Sequence, residues 1–278
     1  MTSTVRTALV TGSTDGIGKE TALGLARAGM RVFVHGRSRP KVEQAIADLT
    51  TQAPEGTFEA LSFDLGSPAS IRRALADVGE RLDTLHVLVN NAGIFSPERV
   101  VTGDGIEATL AVNHVGHVLL TELLRPALRK AGAARVIIVS SIAHTRGRIH
   151  LEDLTLERAY TGYAAYAQSK LANVMHALDL AAASDAAELA VYSLHPGVIS
   201  TKLLREGFGP VRGSSPHHGA ATSIRLATAD TIAEPSGTYF SEGYPTPVAA
   251  AANDATVRAA LRAATLRYAG LADADQAP

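Results

Sequence analysis

Seven short apolar runs, rich in β-branched residues, alternate along this chain with longer stretches of helical period, and that alternation restricts the fold more than any other feature. The runs are Thr7 to Thr11, Arg31 to His35, Phe58 to Phe63, Val87 to Val89, Val136 to Ser140, Ala190 to Leu194 and Thr238 to Phe240. Runs that are apolar throughout, not in alternate positions, belong to strands covered on both faces, as in a parallel sheet. The helical stretches fall near Gly18 to Ala28, Pro40 to Leu49, Pro68 to Glu80, Ile106 to Ala131, Tyr163 to Ala183, His217 to Ala229 and Asn253 to Tyr268. The pattern predicts an α/β fold: a single-domain, Rossmann-like, doubly wound sheet of about seven parallel strands flanked by helices.

Strand and helix signals run through residues 1–278 without a Pro/Gly/Ser-rich linker, so no domain boundary is expected. Two stretches are irregular, an insertion at about 143–162 and a glycine-containing stretch at about 200–216 that reads as a lid over a substrate site. The 26 Lys and Arg balance 27 Asp and Glu, which argues against nucleic acid or an anionic membrane as a partner. With no cysteine, disulfides, thiolate-bound metals and thiol nucleophiles are excluded. No apolar run approaches the ~18 residues of a membrane span and the N-terminus has no signal-like h-region, so a cytoplasmic protein is expected.

The first strand leads straight into Thr11-Gly12-Ser13-Thr14-Asp15-Gly16-Ile17-Gly18, where a helix begins. Glycines there let the backbone turn sharply and approach a pyrophosphate, whose charge the free N–H groups of the helix start stabilise. The turn from Gly12 to Gly18, Asp15 included, is the candidate dinucleotide site. About 20 residues further on, NAD-binding folds place an acid for the ribose hydroxyls. Gly36 stands here instead, followed by Arg37, with Arg39 and Lys41 nearby, so NADP(H) is preferred and NAD(H) remains possible.

Four more motifs follow in order: Asn90-Asn91-Ala92-Gly93, Asn113 in a helix, Ser140-Ser141 after the fifth strand, and Tyr166-x3-Lys170. With the glycine turn and Pro196-Gly197-Val198-Ile199-Ser200-Thr201, they resemble the short-chain dehydrogenase/reductase family over essentially the whole chain. The segments around Asn113, Ser141 and Tyr166 are most similar to retinol-dehydrogenase-like and WW-domain-oxidoreductase-like members, as is the long separation of Ser141 from Tyr166. The resemblance implies that Gly12, Ser13, Thr14, Gly16, Ile17 and Gly18 hold the cofactor phosphates and Arg37 the adenosine end. It implies that Asp64 and Leu65 contact adenine, that Asn91, Ala92 and Gly93 line the middle of the cofactor, and that Pro196, Gly197, Ile199 and Thr201 hold the carboxamide end. Asn91 also reads as a clamp between strands.

Tyr166 and Lys170 lie one helical turn apart on one face. A phenol is a poor base at neutral pH, and an adjacent ammonium, with the positive nicotinamide of the oxidised cofactor, is expected to bring its pKa down toward working pH, making Tyr166 a general acid or base. The resemblance gives Lys170 the nicotinamide ribose, chooses Ser141 over Ser140 as the donor to the substrate oxygen, and gives Asn113 a water linked to Lys170. The function so implied is NADP(H)-dependent interconversion of a carbonyl and an alcohol on a small, apolar molecule, with a homodimer or homotetramer formed through the helices near Asn113 and Tyr166. The alternatives are a non-catalytic NADP(H) sensor or scaffold and a carbon–carbon double-bond reductase. Phe95, Leu203, Leu204 and Phe208 are candidates for the pocket wall, with packing an equal reading. His114-x2-His117 and His217-His218 lack a third ligand at a known spacing, so no metal is expected. His144 and His150 in the insertion read as solvated polar groups or substrate contacts.

Overall fold

A computed structural model describes residues 5–209 and 211–271. The strands are β1 (Thr7–Val10), β2 (Arg31–Gly36), β3 (Thr57–Ser62), β4 (Val87–Asn90), β5 (Ala134–Val139), β6 (Leu189–His195), β7 (Tyr239–Ser241) and β8 (Tyr244–Pro245). They form one sheet in the order β3-β2-β1-β4-β5-β6-β7-β8. Pairing is parallel up to β7, and β8 returns antiparallel on the edge. The helices are α1 (Gly16–Arg27), α2 (Arg39–Gln52), α3 (Pro68–Val78), α4 (Ala108–Leu110), α5 (Gly116–Ala131), α6 (Gly162–Ala182), α7 (Lys202–Phe208), α8 (Pro216–Thr228) and α9 (Ala255–Tyr268).

Alternation within strands that are buried on both faces divides the core in two. Leu9, Phe33, Leu88, Val136 and Ile138 point to the side of α5 and α6, while Ala8, Val10, Val34, Val89 and Ile137 point to the side of α1 and α2. Burying a Val, Leu, Ile or Phe side chain contributes about 1.5–3 kcal/mol, which is why the central strands are almost continuously apolar, with Ser193 of β6 an interior exception.

The helices begin where the sequence supplies caps. Ser67 accepts from the Ser70 amide with Pro68 at the first helical position, and Thr161 accepts from Ala164 at the start of α6. The direction in which strands are added to the sheet reverses between β1 and β4, the topological switch point at which a crevice opens beyond the carboxyl ends of parallel strands.

Several elements differ from the sequence reading. β8 is only two residues long and joined to β7 by Glu242 and Gly243, both at positive φ, too short for any periodicity to register. The stretch read as an irregular lid contains α7, capped by Thr201; Pro210 and the side chain of Phe208 lie outside the described residues. The long helix expected from Ile106 is interrupted by a π turn, Ala111–Val115, containing Asn113. The insertion forms 3₁₀ turns at Ile142–Arg146 and Leu151–Asp153. The tail beyond residue 271 lies outside the described residues.

α9 packs against α5 and α6, joined to α6 by an Arg258–Asp179 ion pair at 2.8 Å and to the π turn by a His114–Thr265 hydrogen bond at 3.0 Å. It thus occupies part of the helix face near Asn113 on which self-association is expected. No helix among the described residues is long and apolar enough to cross a membrane.

Candidate active site

The glycine turn owes its shape to contacts that leave no room for side chains. A Cβ on Gly18 would stand 2.3 Å from Gly12 O, and one on Gly12, at φ +63°, would stand 2.9 Å from Ala92 Cα. Ser13 turns inward, its Oγ donating to Val10 O at 2.7 Å and accepting from His35 N at 2.8 Å. Asp15 caps α1 through its bond to the Gly16 amide at 2.7 Å, and Ile17 and Gly18 present amides that precede the first intrahelical acceptor. That cradle of glycine backbone and helix N-terminus suits a pyrophosphate.

The crevice is a cavity of ≈ 740 Å³. Its walls include Gly12, Thr14, Asp15, Gly16, Ile17, Gly18, Arg37, Asp64, Leu65, Asn91, Ala92, Gly93, Ser141, Tyr166, Lys170, Pro196, Gly197, Ile199 and Thr201. Of the catalytic and cofactor candidates, Ser13 and Asn113 stand behind the wall; of the pocket-wall candidates, Leu203 and Leu204 line it and Phe95 does not. Asn91 is on it, yet its Nδ2 donates to Thr11 O at 2.8 Å and Gly12 O at 3.3 Å, so its amide also ties β1 to β4. Arg39 turns to Glu43 at 2.6 Å, which leaves Arg37 as the basic residue of that cluster on the cavity.

At the other end, Ser140 and Ser141 separate by direction. Ser140 Oγ is buried and donates to Lys170 O at 2.7 Å, while the Ser141 hydroxyl bonds the Tyr166 phenol. Lys170 Nζ donates to Val139 O at 3.0 Å and lies 5.6 Å from the centre of the Tyr166 ring. A Cβ on Gly93 would fall 3.4 Å from Lys170 Nζ and 3.6 Å from Asn113 Oδ1, so both polar groups border that glycine. Asn113 itself accepts from Ile94 N at 2.8 Å and donates to Ile94 O and Ser169 Oγ, each at 3.0 Å.

Within the protein itself, burial sets the ionisation of both Tyr166 and Lys170. Burial pushes the Tyr166 phenol up to about 12, outweighing its bond from Ser141, and burial pulls the Lys170 ammonium down to about 8. Desolvation of each charged form therefore dominates over the attraction between ammonium and phenolate anticipated from their spacing. Tyr166 is a neutral phenol at neutral pH, a form suited to giving a proton.

Residues that no sequence motif singled out complete the site. His35, next to last in β2, lies beneath the turn, accepting from Gly12 N at Nδ1 (3.0 Å) and bonding Phe63 O through Nε2 (3.2 Å); its burial lowers its pKa to about 4. Its position at the carboxyl end of a strand beside the switch point was the available signal. Ile94, Ile142, Tyr163, Val198 and Val211 add apolar wall to that of Leu203 and Leu204. Phe95 packs beside Tyr166, with ring centres 6.0 Å apart. His144 is buried rather than solvated, and the His150 amide donates to Gln168 Oε1 at 3.0 Å. His114 and His117 are held by Asn173, Thr265, Thr11 and the Asn113 carbonyl, and no cluster of metal-ligating side chains occurs among the described residues.

Residues 6–208 match the family model of the short chain dehydrogenases. The chain belongs to the short-chain dehydrogenase family. It is 38% identical to retinol dehydrogenase 12 of Bos taurus over 84% of this chain and 77% of that protein, and 37% identical to human retinol dehydrogenase 13 over 96% and 85%. A crystal structure of an uncharacterised protein from Mycobacterium paratuberculosis superposes with a TM-score of 0.77 at 34% identity, covering 95% of this chain and 93% of the other. The chain is thus a retinol-dehydrogenase-like oxidoreductase of a family that binds NAD(P), and its sheet is the family's Rossmann-like sheet.

Proposed function

We propose that the protein is an NADP(H)-dependent oxidoreductase that interconverts a carbonyl and an alcohol on a small apolar substrate. The observation that carries the reading is one cavity with the glycine cradle at one end and Ser141, Tyr166 and Lys170 together at the other. A bound nicotinamide supplies or accepts the hydride. In carbonyl reduction, the Tyr166 phenol gives its proton to the substrate oxygen while the Ser141 hydroxyl donates a hydrogen bond to that oxygen as negative charge develops. Lys170, held by Val139 O, has its remaining donors for the ribose and for returning a proton to Tyr166. Asn113 holds the Ile94 backbone beside them.

The choice of NADP(H) is supported by position 36. A Cβ there would meet Thr14 Cγ2 at 2.6 Å, so the place where an acid would accept ribose hydroxyls is crowded by the Thr14 methyl, and the adjacent Arg37 offers a cation to a 2′-phosphate. The apolar walls favour an apolar substrate, and the retinol dehydrogenases among its relatives make such alcohols and aldehydes the first to assay. We place the protein in the cytoplasm, as a homodimer or homotetramer whose contacts leave α9 in place.

The test is fluorescence titration with NADPH and NADH, then a panel of aldehydes and ketones with wild type and Tyr166→Phe. The expected result is tighter NADPH binding, equal in both proteins, with turnover lowered about 10²-fold or more by the substitution. Binding without turnover across the panel would overturn the enzymatic reading.

A further inference from the structure

Ser141 is held from behind by a side chain outside the catalytic set. His144 Nδ1 lies 2.8 Å from Ser141 O, and the His144 amide reaches the same oxygen at 3.1 Å. A carbonyl only accepts, so Nδ1 carries the proton, and Nε2 is free to accept from Ala249 N at 3.3 Å. The imidazole is 1% exposed and rests on the Tyr239 ring at 4.7 Å between centres. Burial lowers its pKa, which keeps this single-proton form across neutral pH.

The arrangement spans distant parts of the chain. Ala249 lies between β8 and α9, past the residues that match the family model. The far end of the same 3₁₀ turn is fixed by Gly147, where a Cβ would stand 2.5 Å from Ala167 O of α6. The Ser141 peptide is thus fixed to α6 on one side and, through His144, to the C-terminal segment on the other.

We propose that His144 is a positioning residue of the reaction: by donating from Nδ1 to Ser141 O while Ala249 orients its ring, it sets the direction in which the Ser141 hydroxyl meets Tyr166 and the substrate oxygen. This rests on the reading of Ser141 and Tyr166 as the groups that bind the reacting oxygen. A misplacement near 1 Å of such a donor costs about 10²-fold in rate.

Two substitutions separate the ring's nitrogens, because an Asn amide falls near Nδ1 and a Gln amide near Nε2. With NADPH and the best carbonyl of the panel, His144→Asn keeps kcat close to wild type, whereas His144→Gln loses about 10- to 100-fold in kcat with the NADPH Kd unchanged. Hydrogen exchange of the 139–146 segment, which needs no substrate, rises in the Gln variant and stays near wild type in the Asn variant. Equal kcat in the two variants, or equal exchange, overturns the proposal. A wild type inert toward every carbonyl overturns the oxidoreductase reading instead, and the exchange comparison still decides the role of His144.

Discussion

Gly36 and Thr14 make cofactor choice a matter of space as well as charge. Exchanging Gly36 for Asp in a fold of this kind is the obvious route to NADH, since a carboxylate there accepts from ribose hydroxyls and repels a 2′-phosphate. Here the new Cβ would press on Thr14 Cγ2 at 2.6 Å and Val42 Cγ2 at 3.1 Å. Gly36→Asp alone is therefore expected to weaken both NADPH and NADH, while Gly36→Asp with Thr14→Ala gains NADH affinity; calorimetric titration of the two proteins checks this, and improved NADH binding by the single variant would show that the turn yields easily. Arg37→Ser should raise the NADPH Kd about tenfold, the loss of one charge-assisted contact, and leave NADH unaffected. The same scale governs direction. With Tyr166 pushed up to about 12, its neutral form serves reduction throughout the neutral range, whereas alcohol oxidation needs the phenolate. The rate of oxidation should rise with pH past neutrality while reduction does not, as pH profiles of both directions would reveal.

Helix α7 sits on the site through a glycine. A Cβ on Gly207 would lie 2.7–3.1 Å from the Phe95 ring, and one on Gly162, at the start of α6, 2.8 Å from the other side of that ring. Phe95 thus lies against both α7 and α6, the helix that carries Tyr166 and Lys170. Gly207→Val should hold α7 away from the ring, raising KM for the carbonyl substrate several-fold with a smaller effect on the NADPH Kd; unchanged KM would mean that α7 keeps its place over the site without this contact. The sequence disclosed little of α7, since Lys202 to Phe208 is too short for a period to stand out and lies among glycines and a proline that read as loop. By contrast, β1, β2 and β4 to β6 were legible because burial on both faces demands continuous apolar runs. The glycine turn was equally plain, since its spacing comes directly after a strand. What stayed hidden were polar groups whose role comes from distant partners: His35 beneath Gly12, or His144 against Ala249, each reached only through the fold. Asn113 was visible as a motif, but not the π turn that aims it at Ile94.

Four histidines with strongly lowered pKa values, His35, His114, His117 and His176, shape the molecule's response to acid. His35 joins β2 to the glycine turn, His117 joins Thr11, just past β1, to the Asn113 carbonyl, His114 joins the π turn to α6 and α9, and His176 of α6 lies 6.2 Å from His114, ring centre to ring centre. Burial lowers His35 and His114 to about 4 and His117 and His176 to about 3, with neighbouring cationic groups adding to the effect at His117 and His176. Their folded pKa values lie below that of the unfolded chain, so between pH 6.5 and about 4 the unfolded state binds more protons and stability falls as pH falls. A lowering of this size costs on the order of 2 kcal/mol at pH 5 for one such group, a sizeable part of the stability of a typical domain. Urea unfolding at pH 7 and pH 5 should therefore show a large loss at the lower pH, one that His176→Leu partly relieves because its Nε2 has no hydrogen-bond partner to lose. A midpoint that is flat from pH 7 to pH 5 would mean that these rings protonate without leaving the fold. The acid-sensitive region includes the seam of α9 against α5 and α6, so loss of helix α9 should precede loss of the sheet, and exchange at residues 255–268 should rise before exchange in β1 and β4.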